Sequence, residues 1–372
     1  MGAIFLAGAL ADAEVRRVVF GDPAAVPARL PGHVLAGPGI WPLPVPGKGA
    51  VEGWLLTAPD AAARARIGAL GAVLGGQVAL ATIEAAGAAA TAATLLAPDP
   101  AAPLPDDWRA RWLPVLRAAL PNLLARLADG VAPERLARRL PQILTQAGAR
   151  VRAAEARPAT FSLRHRPAPG DVTVLQQSEP YANYFSVEAR DLRHRRFDGA
   201  QSPVMDRAVF MSGDAAILLP YDPVRDLVLL IEQFRAGPQA RGDAAPWLIE
   251  AVAGRIDGGE TPEEAARREA REEAGIVVTD LIPGPRYYPT PAAKSEYLYS
   301  FVALCDLSQR PTGGGGLVSE AEDIRSHIIP FARLLELVET GEVDNAPLLI
   351  LALWLAPRRT TLRAGPGAIP GA

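Results

Sequence analysis

Short apolar runs broken by glycine and proline mark out the elements of this chain. Ile4–Leu6 reads as a buried strand that ends at Gly8, and Ala11–Val19 as a helix. Pro27-Ala28-Arg29-Leu30-Pro31-Gly32 opens a stretch rich in proline and glycine that reads as a loop as far as Gly49. A strand follows at Val51–Leu56, then a helix at Ala61–Leu74 with Asp60 as its cap. Val78–Ile83 and Thr91–Leu96 are further strands. Trp108–Ala128 carries Trp108, Trp112, Leu116, Leu120 and Leu123 at helical spacing, with Asp106-Asp107 as the cap. Pro114 and Pro121 leave open one kinked helix or two short ones. Pro133–Glu155 is the next helix, with Leu136, Leu140 and Ile143 inward and Pro141 awkwardly inside it. Ala156–Gly170 holds three prolines and marks a boundary.

In the second half the pattern shortens to period two or to wholly apolar runs. Val172–Leu175, Phe185–Ala189, Ala208–Met211, Ala215–Leu219, Leu227–Glu232, Trp247–Val252, Leu298–Leu304 and His327–Ile329 are the expected strands. Phe331–Thr340 and Pro347–Ala356 are expected helices, the latter almost wholly apolar and therefore buried. Arg359–Ala372 is expected to be a frayed tail.

Composition narrows the classes. The 372 residues are enough for two domains, and 49% hydrophobic residues are enough for proper cores. A net charge of −3 makes no electrostatic case for nucleic acid or an anionic membrane as partner. The lone Cys305 cannot form an internal disulfide and reads as a buried thiol. No apolar run is long enough to span a membrane. The opening MGAIFLAGALADAEV has no basic residue before its apolar run, so no signal peptide is expected, and the expected location is the cytoplasm.

The chemistry concentrates in Gly254–Ile276, GRIDGGETPEEAARREAREEAGI, which packs six glutamates into 23 residues. Thr261-Pro262-Glu263-Glu264 starts a helix with Thr261 as N-cap and Glu264 at the third position. Glu269, Glu272 and Glu273 then share one face. Carboxylates crowded in this way repel one another, and a bound divalent cation with a preference for hard oxygen relieves the repulsion. Gly254, Glu260, Arg268, Glu269, Ala270, Glu272, Glu273, Gly275 and Ile276 match the spacing of the Nudix box.

The flanks resemble the ADP-ribose pyrophosphatase subfamily of Nudix hydrolases over nearly all of residues 172–358. The residues that carry the resemblance are YANYFSVEARDLRHRRFDG, Leu219–Asp226, Ile231–Arg235, Trp247–Glu250, GLVSEAEDIRSH and GEVDNAP. The first hundred residues resemble a gamma-glutamylcyclotransferase-like module in layout: an opening strand with a glycine turn, PARLPG, a Val-Glu-Gly strand and a helix. The substrate loop of that family is replaced here by Ala7-Gly8-Ala9-Leu10, and Leu70-Gly71 stands where its acid/base glutamate would be. That implies a module without proton-transfer chemistry, serving packing or protein contacts. Together the halves are similar to the two-module Nudix proteins named for tellurite resistance.

The implied fold class is α+β and α/β. It comprises a small mixed module over 1–100, a helical spacer over 101–157, a linker over 158–170, a Nudix α/β/α sandwich with a mixed sheet over 171–358, and the tail. The implied activity is Mg²⁺-dependent hydrolysis of ADP-ribose to AMP and ribose 5-phosphate, with Mn²⁺ as the alternative ion. The resemblance assigns Glu269, Glu273, Glu322 and the carbonyl of Ala253 to metal, Glu320 to the general base, and Glu272 to a second ion or a metal-bound water. Tyr184 and Phe185 would stack on adenine, although the core face of a strand explains them equally well. Arg207, Arg235 and Arg255 would meet phosphate or ribose, and Glu296 the terminal ribose hydroxyls. Arg268 would pair with Glu260 and hold loop to helix. Where the family often carries a glutamate after the arginine at position 207, this chain has Ala208. A homodimer through the Nudix half is implied. Competing readings are another nucleoside diphosphate derivative as substrate, an ADP-ribose sensor without turnover, and a first module active on gamma-glutamyl compounds.

Overall fold

The computed structural model describes residues 2–21, 23–37, 40–97, 104–156, 162–308, 314–315 and 323–364. The chain divides into two compact units, 1–167 with 257–259, and 168–256 with 260–372.

The first unit contains β1 (Ala3–Leu6), α1 (Ala13–Phe20), β2 (Ala25–Ala36), β3 (Leu43–Leu56), α2 (Ala61–Leu74), β4 (Gln77–Ala85), β5 (Ala88–Leu96), α3 (Trp108–Ala128) and α4 (Pro133–Glu155). Its strands close into a barrel in the order β1-β3-β2-β4-β5. β1 and β5 pair in parallel, and the remaining pairs are antiparallel. Asp60 caps α2 by accepting the N–H of Ala63 at 2.6 Å.

The stretch from Pro27 to Gly49, expected as a loop, is instead most of a long β2–β3 hairpin. Proline is tolerated in strands where a bulge absorbs its missing donor. Here the register shifts between Pro31 and His33, and Gly32 between them adopts φ 68°. α3 runs unbroken through Pro114 and Pro121, and α4 through Pro141. Asp107 does not cap α3 with its side chain; the carboxylate accepts from Arg111 Nε at 2.6 Å instead. The helical pair expected as a spacer shares one core with the barrel: Leu116, Leu120, Leu136 and Leu144 join Leu6, Leu56 and Leu70. Apolar helix faces this wide need a partner to cover them.

The second unit begins with β6 (Val172–Ala182), β7 (Ser186–His194) and β8 (Met205–Met211), an antiparallel three-stranded sheet. Then come β9 (Ala215–Asp222), β10 (Leu227–Phe234), α5 (Ala236–Arg241), β11 (Trp247–Glu250), β12 (Val252–Arg255), α6 (Pro262–Glu272), β13 (Asp280–Tyr287), β14 (Leu298–Leu304), β15 (Gly314–Gly315), β16 (Ile324–Pro330), α7 (Phe331–Thr340), α8 (Ala346–Leu355) and α9 (Arg359–Arg363). Among the described residues the large sheet runs β13-β14-β9-β10-β16-β15, with β11 on β10 and β12 on β9. β14 and β9 pair in parallel and the other pairs are antiparallel, so the sheet is mixed. α6 buries Ala265, Ala266 and Ala270 in a core with Leu218, Ile231 and Phe301. Leu334 of α7 and Leu348 and Leu351 of α8 pack in a second core with Leu219, Leu230 and Val302. The alternation of side chains along the strands sends these two sets to opposite faces.

Three expectations change here. Trp247–Val252 is two strands, not one: β11 pairs with β10, and after Ala251 β12 pairs with β9. β13 has no counterpart among the expected strands; its Pro283-Gly284-Pro285 reads as a loop, and the register does shift between Pro283 and Arg286. The tail begins as α9, where Arg359 and Arg363 both pair with Asp226 at 3.3 Å; residues 365–372 lie outside the described residues. Among the described residues no helix is long and apolar enough to cross a membrane.

Candidate functional site

The site is built on the junction of β12 and α6. Gly259, at φ 82°, makes the turn between them. Thr261 Oγ1 accepts the N–H of Glu264 at 3.1 Å, and the Glu264 carboxylate accepts the N–H of Thr261 at 2.9 Å. With Pro262 in the first turn, this is the capping box that the sequence announces. It sets the phase of the helix and hence the direction of Glu269, Glu272 and Glu273.

Arg268 is the hub. Its Nε and Nη2 donate to the two carboxylate oxygens of Glu260 at 3.0 and 3.1 Å. Nη1 donates to Glu269 at 2.6 Å and to Glu272 at 3.0 Å, and Nη2 also meets the carbonyl of Arg255 at 2.9 Å. Burial alone would lower the Arg268 pKa, but Glu260 and Glu269 outweigh it and hold the guanidinium above its ordinary value. The expected Arg268–Glu260 pair is therefore present, and the same arginine also gathers two of the clustered glutamates. The i,i+4 spacing of 268 and 272 is a signal that could have revealed part of this.

Glu269 lies against β12. A Cβ on Gly254 would stand 1.8 Å from its Oε1, so only glycine leaves room for that carboxylate. Glu273 is 3% exposed and accepts the N–H of Ala253 at 3.1 Å. Ala253 is thus tied to the helix through its N–H as well as sitting in the β9–β12 ladder. Among the described residues no three acidic, histidine or cysteine side chains converge tightly enough to hold a metal ion. The donor chemistry still fits one. Three carboxylates share the Arg268 guanidinium and a fourth lies beside the β12 backbone, and hard oxygens of this kind suit a divalent cation. Glu320 and Glu322 lie outside the described residues.

The flanking residues fall into two groups. Tyr184 and Phe185 stack edge to face at 4.7 Å, and Phe185 meets Phe210 at 4.7 Å. The Arg255 guanidinium lies 4.2 Å from the Tyr184 ring centre and 5.3 Å from that of Phe185. Lys294 Nζ lies 5.7 Å from the Phe210 ring centre and 2.9 Å from Glu296 Oε1. The structure therefore joins Arg255, Tyr184, Phe185 and, through Phe210 and Lys294, Glu296 into one continuous surface. Tyr184 is more than half exposed, which is not the core position that its strand pattern allowed. Arg235 is held by Glu250, at 2.9 Å from Nε and 2.7 Å from Nη2. Arg207 sits on exposed β8, opposite Arg190, and donates to the carbonyl of Asp206 at 2.7 Å. Phe210, Lys294 and Glu250 were not among the candidates. Alternation in the sequence identifies the strands of Phe210 and Glu250, places Lys294 in a loop, and says nothing of which side chains meet.

The NUDIX domain matches residues 211–350, the span that holds this helix and most of the large sheet. The ADP-ribose pyrophosphatase of Escherichia coli (strain K12) is 39% identical over 193 residues, which is 52% of this chain and 91% of that protein. The chain belongs to the Nudix family. It is a Nudix pyrophosphohydrolase by that membership. The ADP-ribose pyrophosphatase of Haemophilus influenzae (strain ATCC 51907 / DSM 11121 / KW20 / Rd) is 33% identical over 187 residues, 50% of this chain and 86% of its own length. The GDP-mannose pyrophosphatase of Escherichia coli (strain SMS-3-5 / SECEC) is 33% identical over 184 residues, 50% and 94%. A solved structure of an ADP compounds hydrolase, at 24% identity and a TM-score of 0.40, covers 52% of this chain and 98% of its own. Nudix hydrolases generally use divalent metal ions.

Proposed function

We propose that this Nudix hydrolase cleaves the diphosphate of ADP-ribose to AMP and ribose 5-phosphate with Mg²⁺. The observation that carries the reading is the joined surface from Arg255 through Tyr184, Phe185 and Phe210 to Lys294 and Glu296. An aromatic shelf suits a base, a guanidinium beside it suits diphosphate oxygens, and a carboxylate suits sugar hydroxyls. The likeness to the bacterial ADP-ribose pyrophosphatases supports the same substrate.

Glu269, Glu273, Glu322 and the Ala253 carbonyl would hold the metal, with Glu272 beside them. When bound, the ion offsets diphosphate charge and polarises water. Glu320 takes the proton of the water whose oxygen attacks one phosphorus; the bridging P–O bond breaks and the leaving phosphate departs on the other product. Arg207 and Arg235 offset the charge that builds on the diphosphate, and Glu250 sets the orientation of Arg235. Arg268 stays structural, clamping the loop and spacing the carboxylates. The exposed β6, with Val172, Leu175 and Tyr181 each more than half exposed, supports a homodimer through this unit.

The first unit serves packing or protein contacts, in the manner of a silent cyclotransferase-like module. Gly71, at the position of that family's acid/base glutamate, carries no side chain, and a Cβ there would press on Leu95 Cδ2 at 2.7 Å. A panel of ADP-ribose, GDP-mannose and dinucleotides, each with Mg²⁺ and read by nucleotide release, tests the reading. ADP-ribose is expected to have the highest kcat/KM. GDP-mannose ranking first would overturn it, and tight ADP-ribose binding without AMP release would make this a sensor.

A further inference from the structure

The surroundings of Glu296 contain more chemistry than one carboxylate needs. Lys294 Nζ donates to Glu296 Oε1 at 2.9 Å, and the Ser212 hydroxyl reaches the same oxygen at 3.4 Å. Ser212 is 3% exposed. The Tyr287 hydroxyl is buried and has no hydrogen-bond partner among the described residues. Burial, and then the charge of Glu296, push the Tyr287 pKa up to about 12, so the phenol keeps its proton for donation. The loop that carries Lys294 is stitched to β8: Phe210 N–H donates to the Ala293 carbonyl at 2.8 Å, and Ser295 N–H donates to the Phe210 carbonyl at 3.0 Å. Lys294 is thereby fixed between the Phe210 ring and Glu296.

We propose that Lys294, Ser212 and Tyr287 complete a polyol-binding subsite around Glu296, in which Lys294 determines specificity for the sugar beyond the diphosphate. The inference rests on the reading of Glu296 as the sugar-holding carboxylate and extends it to three further residues. An ionised carboxylate only accepts hydrogen bonds, while a vicinal diol both donates and accepts. The ammonium and the phenol supply the missing donors, and the serine hydroxyl serves in either sense. A buried phenol left unpaired is costly, and a sugar hydroxyl would satisfy it. Lys294 also offsets the Glu296 charge, so that the subsite can release a sugar phosphate dianion without repulsion.

The test measures KM and kcat for ADP-ribose, and Ki for AMP, which lacks the terminal sugar, in wild type, Lys294→Met, Lys294→Arg and Tyr287→Phe. Lys294→Met is expected to raise KM about tenfold, as for loss of one charge-assisted hydrogen bond, with kcat changed much less and Ki for AMP unmoved. Lys294→Arg should recover most of the KM, and Tyr287→Phe should raise KM about threefold, as for one neutral hydrogen bond. If KM and Ki rise together, or if neither moves, or if kcat alone falls, the subsite is wrong while the substrate stands. Wild-type protein that releases no AMP from ADP-ribose overturns the functional reading and the subsite with it.

Discussion

α6 and α8 pack on opposite faces of the same sheet and use it in opposite ways. α8 reads APLLILALWL and buries Leu348, Leu351, Ala352 and Leu355. Large apolar side chains on that scale each contribute on the order of 1.5–3 kcal/mol by leaving water. α6 reads PEEAARREARE and buries only alanines and Glu269. Small residues let its axis approach the sheet closely, and Gly254 removes the last obstacle to the Glu269 carboxylate. The same sheet therefore has one face devoted to stability and one that gives up apolar burial to hold charge. The charge is tolerated because Arg268 holds three carboxylates at once. Chemistry of this kind needs a rigid support, and α8 supplies it from the far side.

Substitutions on the two helices should separate these roles. On the proposed reading, Glu269→Gln should lower kcat by about 10²–10³-fold, the range for loss of one electrostatic contact at a reacting centre. Its urea midpoint should move far less than that of a core variant on α8. Full Mg²⁺-dependent activity in Glu269→Gln would detach the helix from the chemistry. Leu351→Ala, at a fully buried position, should cost about 3 kcal/mol of stability by urea unfolding and leave kcat per folded molecule unchanged. A large fall in kcat there would show that the two faces are not independent. Thr261→Ala should cost about 1 kcal/mol through the lost cap, with a modest rise in KM for metal as the phase of α6 loosens. If stability falls and metal dependence does not change, the cap serves the helix alone.

Much of the helical layout was legible because helical period and caps are local. α2, α3, α4 and α7 begin and end where their apolar spacing and punctuation place them. The capping box at Thr261 and Glu264 is likewise a four-residue message. The β2–β3 hairpin was not legible, because proline and glycine mark both loops and bulged strands, and only a partner strand distinguishes them. Trp247–Val252 looked like one run because hydrophobicity does not say that its two ends pair with different neighbours. Within the site, spacing along α6 put three glutamates on one face. The meeting of Phe185 with Phe210, of Lys294 with the Phe210 ring, and of Arg235 with Glu250 joins residues 15 or more apart, and no local pattern encodes it.

The sequence by itself determined that a helix of clustered carboxylates follows a glycine turn, and that its chemistry belongs to a Nudix hydrolase. Those features repeat within one or two turns of helix, where sequence distance and spatial distance are the same thing. Only the tertiary structure decided that Arg268 also meets the carbonyl of Arg255, that Gly254 makes room for Glu269, and that Lys294 bridges the aromatic shelf to Glu296. Strand pairing and side-chain packing join distant parts of the chain, and their geometry exists only once the sheet is assembled.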